Sequence, residues 1–199
     1  MNSNFFNEST GQCFGNVVVN GSIVKADNDK LYPSFGVLNN GSYLFGYIHP
    51  DRINHFDLKF LLQSMIWLVR DGVNIVDKSF ARECGKFHSN PHNHGGFRDH
   101  VYGRSARLAI GVDASNNLII MNVDGKSQTY PAEGMNLADF ADLLISYGLR
   151  EAVTMDGGGS TTLVSSGTVI NTPSDVCGKF RCTRAVPAFL CLHEIDETL

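Results

Sequence analysis

Two Asn-Gly pairs, Asn20-Gly21 and Asn40-Gly41, stand between short runs of Val, Ile, Phe and Tyr over residues 16–48, and they constrain the fold more than anything else in the chain. Asn and Gly tolerate the positive φ that a tight hairpin turn demands, so strand-forming residues on either side of such a pair must run antiparallel. Four short strands are expected there. A further hairpin is expected from 107–112 and 118–123 around Asn116-Asn117; its first arm alternates and its second is largely apolar, which puts both in the core sheet. The apolar run 61–69 ends at Arg70-Asp71-Gly72 and reads as one buried strand entering a turn, with the next strand starting near Val73.

Only 136–147 has convincing helical periodicity. Leu137, Phe140, Ala141, Leu144 and Ile145 make one apolar face, Asp139 and Asp142 lie on the wet side, Asn136 can cap the start and Gly148 can close the end. A strand over 152–155 follows, with others around Leu163, Val169 and Phe189. The 199 residues, 43% of them hydrophobic, suffice for one core. The expected class is α+β: one domain of mostly antiparallel, twisted β-sheets with one prominent helix, about 136–147, packed on them.

Charge excludes some partners. A net charge of −4 gives no electrostatic reason to bind nucleic acid or an acidic membrane surface. No apolar run approaches the roughly 18 residues of a membrane span, since the longest, 60–69, is interrupted by Gln63 and Ser64. Met1-Asn2-Ser3-Asn4-Phe5-Phe6 has neither the basic start nor the apolar stretch of a signal peptide, so either the chain is cytosolic or its true start lies upstream. The cysteines at 13, 84, 177, 182 and 191 lack zinc-module spacing; Cys177 and Cys182 could close a small loop. Asn7, Asn20 and Asn40 are glycosylation sequons, about as many as chance supplies. Between Cys84 and Tyr102 the residues become His, Asn, Gly and Pro, which describes a long surface loop. His88, His92, His94 and His100 could hold a metal there, although solvated loop histidines are the more ordinary reading, and no metal is expected.

The most unusual segment is Asp156-Gly157-Gly158-Gly159-Ser160-Thr161-Thr162. Three glycines after an apolar strand allow successive amides to face one concavity and hold an anion, although they could equally form a tight turn or a close crossing. A nucleotide-binding Walker loop is ruled out by the missing lysine. Asp156, at the carboxyl end of a buried strand, is costly to place there unless it has work or partners. Arg107 and Arg184 could grip a phosphate by planar two-point hydrogen bonds, and Asp175 sits in the turn 171–175. Their ordinary readings are a surface arginine and simple turn chemistry.

In order and spacing, Arg107-Leu108-Ala109-Ile110-Gly111-Val112, Gly134-Met135-Asn136-Leu137, the 156–162 segment and Pro173-Ser174-Asp175 resemble the phosphodiester glycosidase family, and its animal members most. Phe5-Phe6-Asn7, Gly11-Gln12-Cys13-Phe14-Gly15-Asn16-Val17-Val18, Trp67-Leu68-Val69-Arg70 and Cys191-Leu192-His193-Glu194 extend the likeness over nearly the whole chain. The resemblance implies a hydrolase of the Golgi lumen that needs no cofactor. It would remove N-acetylglucosamine (GlcNAc) from the GlcNAc-phospho-mannose glycans of lysosomal hydrolases and so expose mannose 6-phosphate. It implies disulfides Cys13–Cys191 and Cys177–Cys182, with Cys84 left for an amino-terminal segment that the family has and this chain lacks, together with the family's first strands. Glycines stand in the family where this chain has Ser3 and Asn4.

The departing phosphate monoester is a good leaving group, so charge stabilisation should outrank acid catalysis. The expected grip is Arg107, Arg184, the amides of Gly157, Gly158, Gly159 and Ser160, and Thr161, with Asp156 or Asp175 as base or nucleophile. Self-association as a homo-oligomer is compatible with this reading. A non-catalytic carbohydrate- or phosphate-binding relative is the competing reading, and a histidine-loop metalloprotein is a third.

Overall fold

The computed structural model of the protein describes residues 1–3, 5, 10, 14–26, 31–84, 97–125 and 133–193. The first sheet contains β1 (Val17–Val19), β2 (Ser22–Lys25), β3 (Pro33–Leu38), β4 (Tyr43–Tyr47) and β5 (Leu58–Gln63), in the order β2-β1-β5-β3-β4. The second contains β6 (Trp67–Arg70), β7 (Val73–Asn74), β8 (Arg107–Asp113), β9 (Leu118–Val123) and β10 (Leu149–Met155), in the order β7-β6-β10-β8-β9. Every pairing within them is antiparallel. Two small hairpins follow: β11 (Val164–Ser165) with β12 (Thr168–Val169), and β13 (Asp175–Cys177) with β14 (Phe180–Cys182).

The hairpins form where the turn chemistry places them. Asn20 and Gly21 both take positive φ, 49° and 74°, which matches the right-handed twist of the flanking strands. Asp71 and Gly72 do the same between β6 and β7, at 53° and 74°. The apolar run 61–69 departs from expectation. It is two strands, β5 and β6, that belong to different sheets. The chain crosses between them at Ser64, whose amide donates to Pro33 O at 2.7 Å and whose hydroxyl donates to Thr154 O. A polar residue in an apolar run is where the backbone can leave one ladder and be satisfied by another.

The sheets pack face to face through Val17, Phe35 and Leu62 on one side and Trp67, Leu108, Ile110, Val153 and Met155 on the other. Helices cover the far face of the second sheet. The expected helix is present as α3 (Leu137–Ser146), with Asn136 Oδ1 accepting from Asp139 N at 2.8 Å and Gly148 at φ 86°. Its Leu137, Phe140, Ala141 and Leu144 are fully buried against the sheet, at about 1.5–3 kcal/mol for each large side chain.

α3 is not the only helix: α1 (Val76–Cys84) and α2 (Phe97–Tyr102) lie on the same face. α2 falls at the end of the stretch expected to be a loop, and it forms because Val101 enters the core while Tyr102 meets Phe80 edge-on at 5.4 Å. Near Phe189 there is a single bridge to Asn2 rather than a strand. No helix among the described residues is long and apolar enough to cross a membrane.

Candidate active site

β8 begins at Arg107 and the antiparallel β10 ends at Met155, so the first residue of one and the loop after the other emerge at the same end of the second sheet. Three glycines let that loop fold tightly against its neighbours. Gly157 lies against Ala106, where an added Cβ would stand 2.8 Å from the carbonyl oxygen and 4.0 Å from Arg107 Nη1. Gly158 takes φ +58° and donates its amide to Ala106 O at 2.9 Å. An added Cβ on Gly159 would run into Asp175 Oδ1 and Arg184 Nη2. The triplet therefore lies between the two arginines, as a side-chain-free seat.

Of the amides from Gly157 to Ser160, all expected to face an anion, two have acceptors within the protein. Gly158 N is spent on Ala106 O, and Ser160 N on Gly157 O in a short 3-10 turn. The Gly157 and Gly159 amides carry no hydrogen bond among the described residues. Ser160 N and Thr161 N close the turn on Gly157 O and Gly158 O, whereas the first donors of a helical turn have no acceptor within it and are left for a neighbouring carbonyl or a ligand.

Arg107 is not a surface residue. Its side chain is 1% exposed, with Nε donating to Met135 O at 2.7 Å and Nη2 to Gly103 O at 2.5 Å. Nη1 is buried without a hydrogen-bond partner, and no carboxylate pairs with the group among the described residues. Burial lowers its pKa to about 10, so it is cationic at neutral pH. A buried cation held only by carbonyls is expensive unless an anion joins it.

Further unspent groups lie in the loop and on segments that flank it: the hydroxyls of Ser160 and Thr161 in the loop, of Thr162 at its end, and of Ser3 and Ser174, all buried without a partner among the described residues. Ser174 Oγ lies near Ala106, in the space an added Cβ on Gly125 would enter. His100, on α2, is half-buried with its Nε2 shielded from solvent. Its pKa falls to about 3 through burial first and the nearby Arg107 second, so it stays neutral and adds no competing charge. Phe5 meets its ring edge-on at 5.1 Å. His88, His92 and His94 lie outside the described residues.

Arg184 and Asp175 form a two-point pair, Nε to Oδ2 at 2.8 Å and Nη2 to Oδ1 at 3.0 Å. Both carboxylate oxygens of Asp175 are thus engaged, and the pair is about one-third exposed at the mouth of the site. Asp156 is half-buried at the start of the loop, its backbone amide donating to Ser3 O at 3.0 Å. A groove of about 710 Å³, lined by Ile120, Thr162, Leu163, Arg184, Val186 and Phe189 among others, runs up to the arginine.

Asn2 and Ala106, which touch the loop from distant positions, carry no local signal, and Ser3 stands out only by replacing a glycine of the family. Ser174 stands within a motif, and its proximity to Asp175 was the available hint. Cys177 and Cys182 are bonded to each other across β13 and β14. Cys191 is free and exposed among the described residues, and its expected partner, Cys13, lies outside them. Of the sequons, Asn20 and Asn40 are exposed in turns and Asn7 lies outside the described residues.

The profile of the family described as phosphodiester glycosidase matches residues 1–193. The chain is 34% identical over 197 residues to the N-acetylglucosamine-1-phosphodiester alpha-N-acetylglucosaminidase of Bos taurus, covering 97% of this chain and 36% of that relative. Against the enzyme of the same name from Mus musculus it is 35% identical over 199 residues, covering 97% and 37%. Among solved structures it resembles the zebrafish catalytic domain of that name, auto-inhibited by its pro-peptide, with a TM-score of 0.83 and 34% identity over 93% of this chain and 59% of that one. The chain thus spans little more than a third of the two mammalian relatives. It belongs to the phosphodiester glycosidase family.

Proposed function

We propose that this chain hydrolyses GlcNAc-α-1-phosphodiesters, releasing GlcNAc and leaving a phosphate monoester on the other alcohol. The observation that carries the reading is Arg107: a buried guanidinium that, among the described residues, has no carboxylate partner and one nitrogen unspent, beside a glycine loop with two amides unspent among the same residues. Those donors suit a phosphate that gains negative charge as the anomeric carbon–oxygen bond breaks. Arg184 adds charge at the mouth of the site, steadied by Asp175.

Asp156 is the better base or nucleophile of the two carboxylates, because both oxygens of Asp175 are already held by a cation. In the overall reaction water supplies the new bond to the anomeric carbon, its proton passes to the solvent side through Asp156, and the bonding pair leaves with the phosphate oxygen. The names of the relatives supply the sugar and the bond, a GlcNAc-1-phosphodiester; the substrate proposed with the family resemblance is GlcNAc-capped phosphomannose of lysosomal enzymes, in the Golgi lumen of the secretory pathway.

The test is incubation of the protein with a synthetic GlcNAc-α-1-phospho-6-mannose diester and measurement of free GlcNAc. Release that inorganic phosphate inhibits competitively is the expected result. Tight binding of the diester with no release over long incubation would instead make the site a non-catalytic receptor.

A further inference from the structure

The first residues of the chain reach the glycine loop from the far end of the sequence. Asn2 is 2% exposed. Its backbone amide donates to Thr162 O at 3.2 Å, its side-chain Nδ2 donates to Asp156 O at 2.7 Å, and its Oδ1 accepts from Thr162 N at 2.9 Å. Asp156 and Thr162 are the first and last residues of the loop that carries every unspent amide of the site. One planar carboxamide thus ties the two feet of that loop together, with a donor on one arm and an acceptor on the other.

The neighbouring bonds hold the tie in place. Ser3 O accepts from Asp156 N at 3.0 Å, and Ser3 N donates to Ala188 O at 3.3 Å. Met1 and Leu190 exchange two backbone bonds, both directions at 2.8–2.9 Å. Residues 1–3 therefore lie as a short extended piece between the loop and the segment 188–190. Nothing in the candidate chemistry requires Asn2 to touch substrate. Its side chain spends both its arms on backbone.

We infer that Asn2 is a positioning residue of the active site. It fixes the separation of the loop's feet and thereby aims the Asp156 carboxylate and the Gly157 and Gly159 amides at one point beside Arg107. No other side chain of similar size offers both arms. Aspartate keeps the acceptor and loses the donor, leucine keeps the shape and loses both, and glutamine is one methylene too long for a fully buried site. A displacement of the loop by a fraction of an ångström suffices to uncouple the base from a correctly held phosphate, and misplacement on the scale of 1 Å costs about a hundredfold in rate.

The inference rests on the proposed hydrolysis for its kinetic readout, and hydrogen exchange supplies a second readout that does not. For Asn2→Leu, kcat for GlcNAc release should fall about a hundredfold while KM and the inhibition constant for inorganic phosphate stay within about threefold of wild type. The Thr162 amide should lose its exchange protection, and the Gly157 and Gly159 amide resonances should move. Asn2→Asp should lie between leucine and wild type at the Thr162 amide, since its acceptor survives, and it carries the test if the leucine variant does not fold. A lowered melting temperature with unchanged kcat would make Asn2 purely structural and overturn the inference. If the wild-type protein releases no GlcNAc, the proposed hydrolysis fails on its own, and the Asn2 inference then stands or falls on whether the substitutions disturb the Thr162, Gly157 and Gly159 amides.

Discussion

The two ends of the β8–β10 pair differ in how their polar groups are spent. At the end where β10 begins, Glu151 Oε2 accepts from Trp67 Nε1 at 3.0 Å and its Oε1 from Asp71 N at 3.1 Å. Asp113 there accepts from Ser115 N, Asn117 N and Asn117 Nδ2, all within 2.9 Å. At the other end an arginine nitrogen, two glycine amides and five hydroxyls are idle among the described residues. A hollow exists at each end, about 310 Å³ beside Glu151 and about 710 Å³ beside Arg184. Concavity alone does not separate them. Hydrogen-bond accounting does, because buried polar groups in a finished fold are almost always paired, and a cluster of exceptions marks where a ligand completes them.

The widest contrast should come from exchanging one carboxylate at each end. Asp156→Asn should lower kcat by about 10³-fold or more with an unchanged circular dichroism spectrum, whereas Glu151→Gln should leave turnover within about twofold. Equal losses at both sites would erase the distinction. Next in size is Arg107→Leu. It should cost about 10²–10³-fold in kcat and abolish any rise in melting temperature that inorganic phosphate gives the wild type; continued stabilisation by phosphate would move the anion site elsewhere.

Gly159→Ala tests the seat beneath the ion pair. The new methyl must displace Asp175 and Arg184, which should destabilise the fold by about 1–3 kcal/mol and depress activity. Gly46→Ala, whose added Cβ meets nothing closer than 3.5 Å, should do neither. Thermal melts and GlcNAc release of the two variants, side by side, give the answer.

The smallest expected effect lies near Trp67, where the Tyr47 ring lies tilted against the indole at 5.4 Å and Glu83 sits close to Tyr47 and Arg82. Burial pushes the Glu83 carboxyl up to about 7, against opposing contributions from Tyr47 and Arg82. An acid whose pKa is raised on folding binds its proton more tightly in the folded state, so this contribution to stability is greatest below the unfolded value near 4.5 and is lost as pH climbs through 7. Melting temperature followed from pH 4.5 to 7 should flatten in Glu83→Gln. A slope identical to wild type would remove Glu83 as its source.

What was legible in the sequence was local. Asn20-Gly21 gave its hairpin because both residues accept positive φ, and Asn136 with Gly148 gave α3 because cap and terminus are single-residue chemistry. α1 escaped notice. Among its described side chains Val76 and Phe80 are the buried apolar ones, its start is held by Asn74 Oδ1 accepting from Val76 N, and its buried Ser79 Oγ accepts from Trp67 N. The sheet change at Ser64 escaped for a related reason, since an apolar run looks the same whether it serves one ladder or two. In the site, Asp156 and its glycines were conspicuous, yet the division of amides between turn and ligand depends on pitch. The clamp from Asn2 spans 154 and 160 positions, a separation at which no local pattern exists.

The bond between Cys177 and Cys182 has a practical consequence. It is a clasp across the hairpin whose first residue is Asp175 and whose last lies two positions before Arg184, so it governs whether that acid and that base arrive in register. A recombinant host that keeps thiols reduced would deliver the polypeptide unclasped, with the rim of its pocket free to splay. Export to an oxidising compartment during production is therefore part of obtaining the folded chain with that rim closed.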